Sequence, residues 1–365
     1  MNTVVIPEYI LIIASSARML AQAAKRANLR SLVIDLFADL DTISSAEDYY
    51  KVSSLAVECL APVVDDFINK YPIKYMVYGS GFECYPDSLS YLSRHLTILG
   101  NTPDTFVRIQ DKRVFFAALD QLSISYPATC FSEPVPPDEC WLVKPLSGQG
   151  GVGITYYATN SCSQTAVYWQ KYQQGISYSV LFLANGYQTQ VIGFNTQWTT
   201  ALSETQGFIF SGIMNYVEIS DTQKNLIISW LQKLVLFFGL KGLNSLDFIL
   251  AGESLYVLEI NPRPSASMQL YDADLLLCHI KASQSEWVEL SVNQEGFTGY
   301  QVVYAPQDVI IPDDFKWPDG CMDLPGCGVT CRTGQPVCSI ITRQKHAPSL
   351  MDELLNKQFN LLKGF

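Results

Sequence analysis

Asp247, Glu259, Asn261 and Arg263 lie within or just beyond two apolar runs, Leu246–Leu250 and Leu255–Ile260. Gly252, Glu253 and Ser254 separate the runs, which is the pattern of a β-hairpin. Side chains alternate along a strand, so Glu259 and Asn261 share one face. Asp247 joins that face, directly across from Glu259, only if the loop has an odd number of residues. A three-residue loop at Gly252–Ser254 does this, whereas a two-residue loop would put the carboxylates on opposite faces. Two carboxylates and an amide oxygen on one face make a hard oxygen cage suited to Mg²⁺, with further ligands from water and nucleotide phosphates. Solvated acids on a surface hairpin with a Pro-rich exit would show the same residue types.

A second group lies about a hundred residues upstream. The strand Trp141-Leu-Val-Lys144-Pro145 carries a lysine beside a proline inside an apolar run, and Leu146-Ser-Gly148-Gln-Gly150-Gly151-Val-Gly153 follows. Glycines at this density form a mobile loop whose N–H groups can fold onto phosphates. The loop lacks the Lys-Ser/Thr ending of a P-loop, and Gly-rich hairpin tips are common for other reasons. Asp111-Lys112-Arg113 opens an amphipathic helix that runs to about Gln121.

The elements that must position these groups read as follows. Tyr9–Ala14 is a continuous apolar run, a strand covered on both faces. Ser15 or Ser16 is expected to cap a helix from Ala17 to about Ala27, and Leu32–Leu36 returns as a parallel strand. Ser15, Ser16 and Arg18 then sit at a helix N-terminus after a strand, where anions and small ligands bind and where ordinary caps also occur. There is no GxGxxG fingerprint here. A helix over 53–70, the strand Tyr75–Tyr78 ending in Gly79-Ser-Gly81-Phe-Glu83, and a helix over 87–96 complete an open α/β region. After the turn-forming stretch Glu133–Asp138 and the glycine loop come Tyr168-Trp-Gln170-Lys171-Tyr172, a strand Ser177–Leu183, a turn at Asn185-Gly186 and a strand Gln188–Gly193. Helices follow over 222–238 and 273–283. The tail 296–342 reads as short strands. Its closing segment, 348–362, reads as an amphipathic helix with apolar Leu350, Leu354, Leu355, Phe359 and Leu362.

The 365 residues suggest two or three domains, and 48% hydrophobic with 16% charged residues fills several cores. A net charge of −11 and a pI near 4.8 argue against nucleic acid or an anionic membrane as partner. No apolar run is long enough to span a membrane, and the N-terminus lacks the basic region of a signal peptide. Ten cysteines without a CxxC pair fit a reducing cytoplasm. The intervals between Cys321, Cys327, Cys331 and Cys338 match no common zinc pattern. His95, His279 and His346 stand in no motif and read as structural or solvated.

Taken in order, these parts resemble the ATP-grasp superfamily. Five pieces fall in register over about 150 residues: the α/β first region, Asp111-Lys112, Val143-Lys144-Pro145 with its glycine loop, Gln170–Gly175, and Asp247…Glu259-Ile-Asn261-Pro-Arg263. The whole chain, including Tyr304-Ala-Pro306 and Trp317-Pro318, is similar to a subgroup of predicted ATP-dependent carboligases distantly related to biotin carboxylase. That subgroup is associated with genes for C1-carrier cofactors of the tetrahydromethanopterin and methanofuran type. The resemblance implies a mixed α/β and α+β architecture. An open α/β pre-ATP-grasp domain is expected over 1–105, a nucleotide-binding domain over 106–285, and a β-rich region with a final helix over 286–365.

The resemblance also implies roles. Lys112 and Lys144 hold the α- and β-phosphates of ATP, and Gly148, Gly150, Gly151 and Gly153 belong to the loop that closes over the phosphates. Gln170, Lys171 and Tyr172 form the hinge beside adenine, and Asp247, Glu259 and Asn261 hold Mg²⁺. Arg263, with Lys144, serves the transferred phosphoryl. Many relatives place an acid for the ribose hydroxyls where this chain has Ser177, so ribose recognition is an open point of the pattern. The implied chemistry is a carboxylate–amine ligase that passes through an acyl phosphate, with small-molecule acid and amine substrates. A bicarbonate-activating carboxylase and a low-turnover ATP-binding regulatory protein are the competing readings. Superfamily members are often dimers, which makes a homodimer one of the assemblies implied. The substrate is expected near Arg18, Gly81 and Arg263, with Ser265, Ser267 and Gln269 alongside.

Overall fold

The computed structural model describes residues 4–133, 140–157, 166–291 and 295–365; apart from Glu133, the turn expected over 133–138 lies outside them. The chain begins with a parallel five-stranded sheet of order β3-β2-β1-β4-β5, comprising β1 (Tyr9–Ile13), β2 (Arg30–Asp35), β3 (Asp48–Lys51), β4 (Tyr75–Tyr78) and β5 (Thr97–Ile98). The continuous apolar run of β1 has the cause expected of it. Ile10 and Ile12 enter one core with Ala17 and Leu20 of the first crossover. Leu11 and Ile13 enter another with Leu60, Val64 and Phe67. Helices α1 (Arg18–Arg26), α2 (Leu40–Ile43), α3 (Val57–Lys70) and α4 (Pro86–Leu92) supply the crossovers. Neither Ser15 nor Ser16 caps α1. The first free N–H, on Ala17, is taken by the Asp35 carboxylate at 3.3 Å, and the Ser16 hydroxyl turns to Asp323 at 3.1 Å. Strand order reverses between β1 and β4, so the ligand crevice of such a sheet opens at their carboxyl ends, where residues 14–17 and 79–83 lie.

Helices α5 (Pro103–Gln110) and α6 (Lys112–Gln121) lead into a small antiparallel sheet of order β6-β9-β7-β8, formed by β6 (Thr129–Cys130), β7 (Trp141–Pro145), β8 (Thr155–Tyr156) and β9 (Val167–Lys171). The main antiparallel sheet then starts with β10 (Ile176–Asn185), β11 (Thr189–Thr200) and β12 (Ile209–Met214). Helix α7 (Asp221–Phe238) follows. Ser220 and Gln223 close its N-terminus with a capping box, and Gly239 at φ 67° ends it. Next come β13 (Lys241–Ala251), β14 (Ser254–Asn261) and α8 (Leu275–Ser283). Alternation sorts this sheet into two faces. Val180, Phe182, Leu246 and Phe248 pack under α6 and α7. Leu181, Leu183 and Leu243 join the core shared with β1 and α1, which fixes the first α/β unit against the sheet.

The C-terminal region contributes β15 (Phe297–Tyr304), β16 (Val309–Ile310), β17 (Cys321–Met322), β18 (Thr330–Cys331), β19 (Pro336–Gln344) and α9 (Ala347–Leu362). Strands β15, β19 and β17 extend the main sheet, whose order is β14-β13-β10-β11-β12-β15-β19-β17. The tail is therefore not made of short strands alone, because β15 and β19 pair over most of their length. On α9, Leu350, Leu354 and Leu361 are buried, while Leu355 and Phe359 are 52% and 58% exposed. Of the three histidines, only His279 is buried. Its Nδ1 accepts from the Leu243 N–H and its Nε2 contacts the Leu99 carbonyl, both at 2.8 Å. Burial pushes its pKa down to about 4, so it is a neutral structural group. The nine described cysteines form no disulfide. Among the described residues no helix is long and apolar enough to cross a membrane.

Candidate active site

The hairpin β13–β14 corrects the loop expected for it. The tip has two residues, since Ala251 pairs with Ser254, and Gly252 takes φ 60°, as the first position of a tight II′ turn demands. A two-residue tip should have separated the carboxylates. It does not, because the register shifts between Asp247 and Phe248: Phe248 pairs with Val257, but Asp247 pairs with Glu259. Leu258 is the extra residue of a β-bulge, and the bulge restores what loop parity removed. Asp247 Oδ2 accepts from Asn261 Nδ2 at 3.1 Å, and Oδ1 accepts from Gln197 Nε2 at 3.0 Å. Burial first, and the neighbouring Glu259 charge second, push the Asp247 pKa up to about 7. Such a carboxylate calls for a cation. The donor set, two carboxylates and one amide on adjacent strands, fits a hard divalent ion. Among the described residues there is no cluster of three or more His, Cys, Asp or Glu to compete for it.

Both lysines face this cage. Asp111 caps α6, its carboxylate accepting from the N–H groups of Arg113 and Val114. That cap sets Lys112 in the first turn, where it is buried with Nζ 3.5 Å from Glu259. Lys144 extends from β7 and donates to Gln170 Oε1 at 2.6 Å. Burial, reinforced by Lys112, drives its pKa down to about 8, against the opposing pull of Glu259. Gln170 is itself buried and donates onward to Thr129 at 3.0 Å. Its amide therefore orients Lys144. The backbone N–H groups of Lys171 and Tyr172 bond the Ala128 and Cys140 carbonyls. The Tyr172 ring lies 5.6 Å from Tyr156 and 6.5 Å from Phe208, an aromatic group that the sequence reading did not single out.

The glycine loop joins β7 to β8 and rests on the main sheet. The Phe210 N–H bonds the Gly150 carbonyl at 2.9 Å. A Cβ on Gly151, at φ 81°, would lie 1.8 Å from the Phe208 carbonyl oxygen, so only glycine permits this approach. Gln149 reaches across to Ser15 of the α/β unit, Nε2 to Oγ at 3.4 Å.

Arg263 leaves β14 into the crevice between β1 and β4. Its Nε donates to Glu83 Oε1 at 2.7 Å, and Nη2 approaches Asn261 Oδ1 at 3.3 Å. Arg18 is engaged differently from the expectation that it lines a substrate site. It is buried, and its Nε donates to Asp323 Oδ1 at 2.8 Å. Its Nη groups bond Gln269, Gln22 and Met322. Ser265 and Ser267 bond each other at 2.9 Å. Ser177, the second residue of β10, lies opposite Ile249, on the same face as Ser179, which pairs with Asp247. Glu83 and Gln197 were missed. The signals were an acid just after the glycines at a parallel-strand exit, and polar residues at alternate positions, Asn195 and Gln197, beyond where β11 was expected to stop.

Residues 109–267 match the sequence profile of the ATP-grasp domain. The chain carries an ATP-grasp domain. Its curated relatives include the carbamoyl phosphate synthase large chains of Clostridium perfringens, 26% identical over 201 residues, and Clostridium botulinum, 25% identical over 218 residues. Each of these alignments covers 48% of this chain and 18% of the relative, so the chain spans under a fifth of their length. Among solved structures, the biotin carboxylase domain dimer of Hydrogenobacter thermophilus 2-oxoglutarate carboxylase, in complex with MgADP, ADP and bicarbonate, superimposes with a TM-score of 0.75 at 13% identity, covering 96% of this chain and 89% of that one. N5-carboxyaminoimidazole synthetase from Staphylococcus aureus gives 0.72 at 14% identity, covering 96% and 97%. At these identities the likeness is one of fold. The ATP-grasp domain thus occurs here with an α/β unit before it and a sheet extension after it, in the biotin carboxylase arrangement.

Proposed function

We propose that the chain uses MgATP to phosphorylate a carboxylate, and that a bound amine attacks the resulting acyl phosphate, with release of ADP and phosphate. The observation that carries this reading is the convergence of Lys112, Lys144 and Arg263 on one oxygen cage. Lys112 approaches Glu259 and Arg263 approaches Asn261, while Asn261 bonds Asp247. Asp247, Glu259 and Asn261 would hold Mg²⁺, which supplies charge neutralisation on the phosphates when bound. Lys112 and Lys144 bind the nucleotide phosphates. The Arg263 guanidinium stabilises the phosphoryl group in transfer. The glycine loop, seated on Phe208 and Phe210, keeps water from the acyl phosphate. The hinge residues Gln170, Lys171 and Tyr172 flank adenine, and Ser177 lies toward the ribose.

Bicarbonate is the second candidate for the acid, supported by the fold shared with biotin carboxylase domains, one of them in complex with bicarbonate. An acid linked to a pterin or furan C1 carrier is the narrower candidate. Calorimetry with ATP, with and without Mg²⁺, on wild type and Glu259→Ala tests the site. The expected outcome is micromolar, Mg²⁺-dependent binding that the substitution weakens. Binding that needs neither Mg²⁺ nor Glu259 would remove the ligase reading. Phosphate release with bicarbonate, glutamate and pterin- or furan-linked acids, each with and without amines, then identifies the substrate class.

A further inference from the structure

We infer that Glu83, which no motif marks, is the positioning residue that aims Arg263 at the transferred phosphoryl. Glu83 is buried in the short turn that follows β4. Its two carboxylate oxygens serve different parts of the molecule. Oε2 accepts from the Gly81 N–H at 2.7 Å, and Oε1 accepts from Arg263 Nε at 2.7 Å. Gly81 has φ 110°, and a Cβ there would lie 2.2 Å from the Ser15 hydroxyl, so the N–H is delivered by a backbone that only glycine can form. The root of the arginine is fixed as well, because Tyr78 Oη and Asn101 Nδ2 both donate to the Pro262 carbonyl, at 3.0 and 2.9 Å. With its root and its Nε held, the guanidinium plane is set. The contacts left to its Nη groups are long, 3.3 Å to Asn261 Oδ1 and 3.5 Å to the Pro264 carbonyl. Each Nη therefore carries one long contact and keeps a second hydrogen for a ligand at the edge of the oxygen cage.

The same geometry says why no other residue type serves. Both partners of Glu83 are donors, so both of its side-chain oxygens must accept. A glutamine has one oxygen, and its NH₂ would face either the Gly81 N–H or Arg263 Nε. An aspartate keeps two acceptors but is one methylene too short to reach both partners. Glu83 acts through Arg263 and touches neither nucleotide nor metal ligand, so its loss falls on the transfer step and not on ATP binding.

The inference rests on the ligase reading for its kinetic consequence, and the test has two arms so that the two can fail separately. In the first, the full-length chain carries ¹⁵N-arginine, and the Arg263 Nε–H signal is assigned by its disappearance in Arg263→Lys. Hydrogen-bonded to a buried carboxylate, that Nε–H is expected to exchange slowly in wild type and at least tenfold faster in Glu83→Gln. An unchanged signal overturns the inference whatever the enzyme catalyses. In the second arm, ATP hydrolysis is measured with each acid and amine of the screen above, and kinetic constants are taken with the pair that gives the greatest phosphate release. Glu83→Gln is expected to lower kcat about 100-fold, as a misplaced catalytic group does, with the KM for MgATP within threefold. Glu83→Asp recovers part of the loss, and Glu83→Gln adds nothing further to Arg263→Lys. A kcat within threefold of wild type, or independent losses that multiply in the double variant, overturns the inference. A positive first arm with a wild type that turns over no ATP overturns the ligase reading and leaves the Glu83–Arg263 assignment standing.

Discussion

Arg18 and Arg263 invite comparison, because both are buried in the crevice region and both hold a carboxylate through Nε, at 2.8 and 2.7 Å. Arg18 spends every edge of its guanidinium on the protein: Asp323 on Nε and Nη2, Gln269 on Nη2, and Gln22 and Met322 on Nη1. Asp323 is in turn held by Ser16 and Tyr300, while its loop is stitched to α2 through Asp41, which accepts from the N–H groups of Asp323 and Leu324 at 2.9 and 3.0 Å. Burial disfavours the Arg18 charge, but Asp323, Tyr300 and Asp41 together more than offset it and raise the pKa. Arg263 spends one strong bond on Glu83 and keeps its Nη pair nearly unspent. The same residue type thus clasps the C-terminal extension to the first α/β unit in one place and, in the proposed reaction, serves the phosphoryl group in the other. Saturation of donors, and not burial or charge, separates the two.

Breaking the clasp gives the largest expected effect. Asp323→Ala leaves the buried Arg18 charge with only the more distant Asp41, 3.9 Å from its Nε, which costs about 3–5 kcal/mol by urea denaturation; replacing both Arg18 and Asp323 with apolar residues, as in Arg18→Met with Asp323→Leu, recovers most of it. ATP affinity of the folded protein stays unchanged, and a selective loss of ATP affinity instead would place Arg18 in the site. Arg263→Lys, which keeps a cation beside the buried Glu83, reverses the pattern, with turnover down about 10²–10³-fold and stability changed much less than in Asp323→Ala. Smaller again, Gln197→Leu removes one donor from Asp247 and leaves the carboxylate freer to swing; Mg²⁺-dependent nucleotide affinity should fall about 10–100-fold, read by calorimetry. The mildest lever is pH. Asp247, with its pKa near 7, must lose its proton to hold the metal, so affinity rises as pH climbs through 7. Lys144, near 8, must keep its proton to hold phosphate, so affinity falls as pH passes 8. Calorimetry across pH 6–9 should show an optimum between the two, and Lys144→Arg should remove the alkaline limb.

Much of this was legible from residue order alone. The two-sided apolar run of β1, the Lys144–Pro145 strand with its glycine loop and the hairpin acids all sit where pattern placed them. What escaped depends on partners far along the chain. Strand β3, Asp48-Tyr-Tyr-Lys51, is a half-exposed edge with a charge at each end, so it carries no apolar alternation to detect. The cap of α1 comes from Asp35, seventeen residues after the helix begins, and local capping rules look only at neighbours. Leu355 and Phe359 fit the apolar stripe of α9, yet β15 and β19 cover only the side bearing Leu350, Leu354 and Leu361. Glu83 reads as an ordinary turn acid until Arg263 arrives 180 residues later.

The bulge at Leu258 has a consequence for how such hairpins tolerate editing. With Leu258 deleted, a two-residue tip would still carry Asp247 opposite Glu259, and every inward and outward assignment from Leu255 to Asn261 would survive in a flat ladder. The extra residue is therefore a shim: it leaves the neighbours of the acid pair alone and alters the pitch at which the pair is presented, through the bend and added twist that a bulge imposes. Removing it separates two things that most substitutions change together, how close the carboxylates are and where they are aimed.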